Sequence, residues 1–500
     1  MAASMSLRLF ILVCSTTTLV ASLPHPRSGL QGCVSSNKRS EAVKDAFSHA
    51  YGGYRKYAWG HDELLPVTCS YSDSRNGWGA TIVDALDTML IMGFEDYYVE
   101  ALEFVAKIDF AKSSQPAKGF ETNIRYLGGL LSANDLRPDP ILVQKAVEVT
   151  EHVLLPLFNS PTKAPYTDMN LNKGKPINVS TIDLAEFGTY SLEFTRLSQV
   201  TNNPKYAQLS NDLIDRAISA PTKFPGLFPT SWTVNPFEPV NSSIITIGGG
   251  GDSFYEYLMK NYILLGGSDK RLLDAWTTTV DSIQKYMLSP TEQDSNIQFV
   301  SMIQNGEEIY ESGELFAKTF MDACEIVWKD TATGIAPESW SWTPQKKFKT
   351  RPPNIGVDHS RQHPLPADPT KFAKRKTGEE ADRPFDITDS LYDLRPETAE
   401  SLFYFHRMTG DPRYQEVAWD IFQAIDKYTR TVAGYSSIAD VDNRSTKKNN
   451  FQESFFLAET LKYLYLIFVD KDCISLDEFV FNTEAHPFKL SKPIKAQNGH

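Results

Sequence analysis

Cysteine is scarce in this 500-residue chain: there are five, and no two stand close enough to suggest a zinc site. Cys14 falls within the N-terminal leader. That leaves Cys33, Cys69, Cys324 and Cys473, too few for the dense disulfide framework of a small secreted scaffold, and their pairing stays open. Long hydrophobic runs are lacking too. No segment reaches eighteen unbroken apolar residues, so no transmembrane segment is expected. Excess positive charge is absent: 50 Lys and Arg face 62 Asp and Glu, for a net charge of −12. This argues against a nucleic acid partner, whose phosphates need basic surfaces, and suits a neutral partner such as a carbohydrate. Several catalytic signatures are missing as well. The nine histidines form no H-E-x-x-H, and no G-x-S-x-G elbow occurs. The glycine run before Asp252 lacks the lysine of a phosphate loop and is followed by an acid.

What is present is the material of a large globular protein. Apolar residues make up 41% and aromatics 12%, enough for a substantial core, so global disorder is excluded. The start, "MAASMSLRLFILVCSTTTLVAS", has Arg8, a short apolar stretch, and Val20 and Ser22 at spacings suited to signal-peptidase cleavage. Residues 1–22 therefore read as a secretory signal and 23–40 as an N-terminal leader. Residues 41–490 read as one domain and 491–500 as a tail. Three sequons, at Asn178, Asn241 and Asn443, agree with a secretory-pathway lumen or the medium as the destination.

Most of the chain reads as helix, and one pattern returns: an apolar helix, a short turn, then an amphipathic helix. It is clearest in "LEFTRLSQVTNNPKYAQLSNDLIDRAI" (192–218) and "SLFYFHRMTGDPRYQEVAWDIFQAI" (401–425), where Asn or Asp and then Pro start the second helix. The spacing is too irregular for a short solenoid repeat. Helical hairpins of this kind close into an all-α toroid. Residues 224–250 break the rhythm as loop or short strand. Residues 343–386, with seven prolines, read as a long exposed loop.

The chemical signal is a set of acids inside apolar or aromatic helical segments. Glu121 stands four residues before Arg125 in "GFETNIRYLGGLL". Asp252 and Glu256 share a face in "GGGGDSFYEYLMK". Glu397 and Glu400 follow Pro396 in "LRPETAESLFYF", and Glu459 interrupts "ESFFLAETLKYLYLIF". Asp84 and Glu186 are similar. Each alone has an ordinary explanation, such as an i,i+4 ion pair or a helix-dipole contact. Together they do not: a buried carboxylate without a partner costs several kcal/mol, and the matching cations in view are few beyond Arg125 and Arg395. A site using paired carboxylates follows, and glycoside hydrolysis is a leading form of such chemistry.

The stretches "FETNIRYLGGLLSANDL", "GGDSFYEYLMK", "GIAPESWSW", "LRPETAESLFYFHRMTGDPRY", "FFLAETLKYLYLIF" and "FNTEAHPF" together resemble the class I α-1,2-mannosidases, glycoside hydrolase family 47, over residues 40–488. The resemblance implies an (αα)7 barrel with a C-terminal segment plugging it, a bound Ca2+, and inverting removal of terminal α-1,2-mannose from high-mannose N-glycans. The enzyme is expected to be a monomer. By the same resemblance Glu121 matches the acid side of the reaction, acting through a water. Asp252 matches a third essential acid, alternatively the proton donor, and Glu397 the base. Inversion implies an acid–base separation of about 6.5–9.5 Å. Thr483 matches the direct Ca2+ ligand, through its hydroxyl and carbonyl oxygens. Asp84, Glu256, Glu400, Glu459 and Glu484 match carboxylates that orient its waters. Arg125, Glu186, Glu338, Arg395 and Phe455 match positions lining the sugar site, with Phe455 as a stacking platform.

The chain departs from the pattern in two places, one of them the basic loop at 343–386, which is longer than usual. The family segment close to "HLTCF.GG", whose cysteine pairs with the position of Cys324, is missing, and residues 299–328 run straight through. A glycan-binding relative without activity is the second class such a scaffold serves. Intact Glu121, Asp252, Glu397 and Thr483 favour the enzyme. Gly250 stands where members trimming a single mannose carry an arginine, which implies trimming of several.

Overall fold

The computed structural model describes residues 30, 33, 37–313, 318–345 and 383–491. The signal at 1–22, most of the leader, most of the 343–386 loop and the tail beyond Ser491 lie outside the described residues.

Helix α1 (Lys38–Tyr57) begins at Asn37, whose side chain accepts from the Arg39 amide at 2.9 Å. After it the chain alternates between an inner and an outer ring. Inner α2 (Ala80–Asp84) and α3 (Leu86–Met92) are followed by outer α4 (Glu95–Val105). Inner α5 (Gly119–Glu121) runs through a π-helical stretch, Thr122–Leu127, into α6 (Gly128–Leu136). Outer α7 (Pro140–Val149) continues to α8 (Leu155–Leu157), and inner α9 (Leu184–Gly188) and α10 (Ser191–Thr201) pair with outer α11 (Lys205–Ile218). Inner α12 (Asp252–Leu264) precedes outer α13 (Lys270–Tyr286) and outer α14 (Lys318–Lys329). Inner α15 (Glu397–Thr409), outer α16 (Arg413–Thr429) and inner α17 (Leu461–Ile467) complete the ring, α17 being entered through a π-helical stretch at Phe456–Thr460.

Burial separates the two rings. All seven residues of α3 and of α17 are buried, whereas α16 buries a stripe that includes Val417, Ile421, Phe422 and Ile425 at helical spacing. The expected turns close the hairpins. Asn202 (φ +54°) and Pro204 separate α10 from α11, and Gly410 (φ +69°) and Pro412 separate α15 from α16. Helix α1 packs against α17, and a disulfide between Cys33 and Cys473 ties the two ends of the barrel chain together.

The architecture is the (αα)7 barrel, and among the described residues seven outer positions are filled, α1 being one of them. The described residues supply six inner helical segments and none between α13 and α14. Along the chain between them run short antiparallel strand pairs, Leu288–Pro290 with Gln298–Val300 and Met302–Gln304 with Glu307–Ile309. Cys324, on α14, is a buried thiol that burial pushes up to about 12. The stretch 224–250 holds the strands Ser231–Thr233 and Glu238–Pro239, which join Thr181–Asp183 in a three-stranded sheet.

The C-terminal segment enters the barrel as a hairpin of Phe479–Phe481 and Pro487–Lys489, against α12 and α6. Two glycines of α6 make room for it. A Cβ on Gly128 would lie 2.5 Å from the Asn482 amide nitrogen, and one on Gly129 would lie 2.7 Å from the Val83 carbonyl oxygen and 3.3 Å from the His486 ring.

Candidate active site and metal site

Because outer and inner helices alternate, the inner helices run in one direction and their N-termini gather at one end of the barrel. Those ends carry partial positive charge and favour carboxylates. Glu121 closes the short α5, Asp252 is the first residue of α12, and Glu397 is the first of α15.

The three carboxyls are in different electrostatic settings. Glu121 accepts from Arg125 Nε and Arg75 Nη1, both at 2.7 Å and both on Oε2. Burial would raise it, but the two guanidinium charges prevail and hold it at about 2. Asp252 goes the other way. Burial, with the nearby charges of Glu256 and Glu397, pushes it up to about 7 against the opposing Ser253 amide, which donates to it at 2.8 Å. Glu397 is half-buried, and its Oε2 is buried without a hydrogen-bond partner among the described residues.

Around the tip of the tail hairpin stands a second group. Asn482 organises the turn: its side-chain oxygen accepts from the amides of Glu484 (2.9 Å) and His486 (2.8 Å). Its amide donates to Glu193 Oε1 (2.8 Å) and the Ile124 carbonyl (2.9 Å). Thr483 is half-buried at the tip, its amide donating to the Tyr257 hydroxyl at 3.2 Å. Asp84 and Glu484 are tied together through Arg125, which bonds Glu484 and lies 3.4 Å from Asp84 Oδ2. Glu256 and Glu400 are tied together through Lys260, which bonds Glu256 and reaches Glu400 at 3.5 Å and the Asn482 carbonyl at 3.4 Å. Glu459 lies on the π-helical stretch, and burial with the charges of Glu397 and Glu400 raises it well above the ordinary range. Burial also pushes Glu400 up.

Among the described residues no three His, Cys, Asp or Glu converge closely enough to cage a metal unaided. The donor set is nevertheless all oxygen and strongly acidic, and buried Asp84 Oδ1 makes no close hydrogen bond among the described residues, facing only His486 Nε2 at 3.6 Å. The group fits a hard cation bound through Thr483 and waters rather than through thiolate or imidazole.

Of the residues expected to line the sugar site, Arg395 donates to Glu338 at 2.8 Å, and the guanidiniums of Arg125 and Arg395 stand 5.7 and 5.8 Å from the Phe455 ring centre. Glu186 is in the first turn of α9, in a reciprocal capping pair with Asp183, and burial pushes it up to about 7.

The expectation that few cations match these acids needs correction. Arg75, Lys260 and Lys462 all lie among them. Lys462, fully buried on α17, pairs with Asp87 at 2.8 Å, and Asp87 also holds His486 Nδ1 at 2.7 Å. Burial would raise Asp87, but Lys462 and His486 outweigh it and hold it at about 2. Lys260 was visible as the i+4 partner of Glu256, and Lys462 as a charge in the same apolar helix as Glu459. Arg75, in a polar loop, gave no signal.

Comparisons to known proteins identify the family. The model of glycosyl hydrolase family 47 matches residues 46–316 and 310–490, in two pieces. A mannosyl-oligosaccharide alpha-1,2-mannosidase of Penicillium citrinum is 34% identical, over 95% of this chain and 97% of its own. A mannosyl-oligosaccharide 1,2-alpha-mannosidase of Arabidopsis thaliana is 39% identical, over 91% of this chain and 79% of its own. The solved structure of an alpha-1,2-mannosidase from Trichoderma reesei superposes with a TM-score of 0.81 at 32% identity, covering 90% of this chain and 99% of that one. On sequence and fold alike, the chain belongs to glycosyl hydrolase family 47.

Proposed function

We propose that the protein is a calcium-dependent, inverting α-1,2-mannosidase that removes terminal α-1,2-linked mannose from high-mannose N-glycans. The observation that carries the reading is the placement of Glu121, Asp252 and Glu397 at the inner-helix N-termini of a family 47 chain; there burial lifts Asp252 to about 7 while two guanidiniums hold Glu121 at about 2. Carboxyls pushed apart in this way divide the labour of acid and base.

Asp252, protonated up to neutral pH, donates to the glycosidic oxygen as the bond breaks. Glu397 takes a proton from the water that attacks the opposite face of the sugar, giving inversion. Glu121 was expected on the acid side through a water. With two guanidiniums on one oxygen it is better suited to remain an anion that orients water and the developing positive charge of the sugar. The Arg395–Glu338 pair, Glu186, Arg125 and Phe455 hold the mannose.

Thr483 would hold Ca2+ directly through its hydroxyl and carbonyl oxygens. Asp84, Glu256, Glu400, Glu459 and Glu484 would hold it through waters. Bound there, the ion supplies a hard positive centre that binds oxygen ligands and offsets the repulsion among these acids. We place the enzyme, as a monomer, in the secretory lumen or the medium, where N-glycans are met. The leader and sequons support this placement.

The test is digestion of a high-mannose N-glycan by the purified protein, with mannose release followed before and after exhaustive chelation. Release that stops on chelation and returns with Ca2+ is expected. Release that survives chelation removes the metal from the reading, and no release at all removes the enzyme.

A further inference from the structure

Arg75 lies on the loop between the strand Ser70–Ser72 and α2, and the fold sets its backbone before its side chain is considered. The buried carboxylate of Asp62 accepts from the amides of Arg75 (2.8 Å), Gly77 (2.7 Å), Gly79 (3.0 Å) and Ala80 (3.1 Å). The Tyr126 hydroxyl donates to the Arg75 carbonyl at 2.8 Å. Gly77 and Gly79 have φ of +72° and +74°, a backbone that glycine adopts freely. From this fixed loop the guanidinium meets acids from three separate segments: Glu121 at 2.7 Å, Glu453 at 2.9 Å and Glu63 at 3.4 Å.

Arg125 also grips Glu121, but Arg125 is shared with Asp84 and Glu484 on the metal side. Arg75 contacts neither of those two acids. Both cations use Glu121 Oε2, and among the described residues none donates to Oε1.

We propose that Arg75 is a positioning residue of the reaction, clamping Glu121 independently of the Asp84–Glu484 cluster so that its second oxygen is presented to the glycan. The assignment rests on the reading of Glu121 as a group that acts in the site. It explains why one acid has two guanidiniums: the Arg75 grip is independent of whatever occupies the Asp84–Glu484 cluster. The geometry also suits arginine alone. A lysine has a single ammonium and cannot span three carboxylates in a fixed fork.

Arg75→Lys and Arg75→Met, with Glu121→Gln as reference, test this through kcat, KM, the pH profile of kcat/KM, and the rise in Tm on adding Ca2+. Both Arg75 variants should keep the Ca2+-induced rise in Tm. Their kcat should fall at least about tenfold for Lys and about 10²-fold for Met, with smaller changes in KM. In Arg75→Met, where Glu121 loses a cation, the acid side of the pH profile should also move up by about one unit or more. Should Arg75→Met fail to fold, because three acids lose a buried partner, Arg75→Lys decides. An active Glu121→Gln overturns the reading of Glu121 and the clamp with it. An inactive Glu121→Gln beside Arg75 variants of normal kcat and pH profile overturns the clamp alone.

Discussion

Glu397 at the head of α15 gives the simplest single-residue expectation. Glu397→Gln keeps the shape of the side chain and removes the base. The protein should fold and bind glycan while turnover falls about 10²–10⁴-fold, the usual worth of general-base assistance. Near-normal turnover in a steady-state assay would take Glu397 out of that role. Asp252 gives a pH dependence. Its carboxyl sits at about 7 against an ordinary 3.8, so the donor form is present below neutrality and is lost as pH rises through 7. Mannose release should fall along that limb, and Asp252→Asn should abolish release at every pH. The same shift sets a stability trend. The folded state holds this proton more tightly than the unfolded one, so the group's contribution is full below about 4 and fades as pH rises toward 7. These acids were legible in the sequence because a carboxylate in an apolar helix is anomalous. Arg75 was not, because an arginine in a polar loop is ordinary and its partners Glu121 and Glu453 are 46 and 378 residues away.

Among the elements, the tail hairpin makes the best test, since it would bring the direct metal ligand into a barrel built by other helices. Thr483→Val preserves volume and removes the hydroxyl. The variant should stay folded, yet the Tm difference between Ca2+-loaded and chelated protein should shrink toward zero, because a ligand stabilises only through its affinity for the folded state. An undiminished difference by differential scanning calorimetry would place the ion elsewhere. Gly128→Ala examines the socket instead. Its Cβ would press on Asn482 at 2.5 Å, and overpacking of this kind typically costs about 1–3 kcal/mol. A lowered denaturation midpoint with weakened Ca2+ affinity is expected, and a neutral effect on both would mean that the hairpin shifts freely. The helices and their Asn-Pro and Gly-Asp-Pro turns were readable because amphipathic spacing and cap residues are local signals. The π-helical stretches at Thr122–Leu127 and Phe456–Thr460 were not, although they carry Arg125 and Glu459. One extra residue per turn leaves no mark on an apolar run, yet it turns side chains toward new partners, as is common at functional sites.

For the whole molecule, the barrel closes although no described helix fills the inner place between α13 and α14. Lys260 helps to bind that side, since it joins Glu256 on α12 to Glu400 on α15 and to the tail carbonyl at Asn482. The short strand pairs between α13 and α14 were not legible in the sequence, because pairing between short irregular segments has no strong periodic signature. Substrate range is also set at this scale, because a branched glycan meets the rim of the barrel as well as its floor. Gly250 lies on that rim, two residues before Asp252. A Cβ added to it would lie 3.6 Å from Thr230 and 4.0 Å from Asp183, so there is room for a side chain beside the sheet that leads into α9. Its φ of +89° nevertheless favours glycine. An arginine here would offer bidentate hydrogen bonds to one branch, and glycine offers none, so no branch is held in preference at this point. The wild-type enzyme should therefore proceed through several α-1,2-mannoses to a five-mannose core. Glycan profiling over time decides the matter: accumulation of one product short by a single mannose would show that another part of the rim grips one branch in place of the missing arginine.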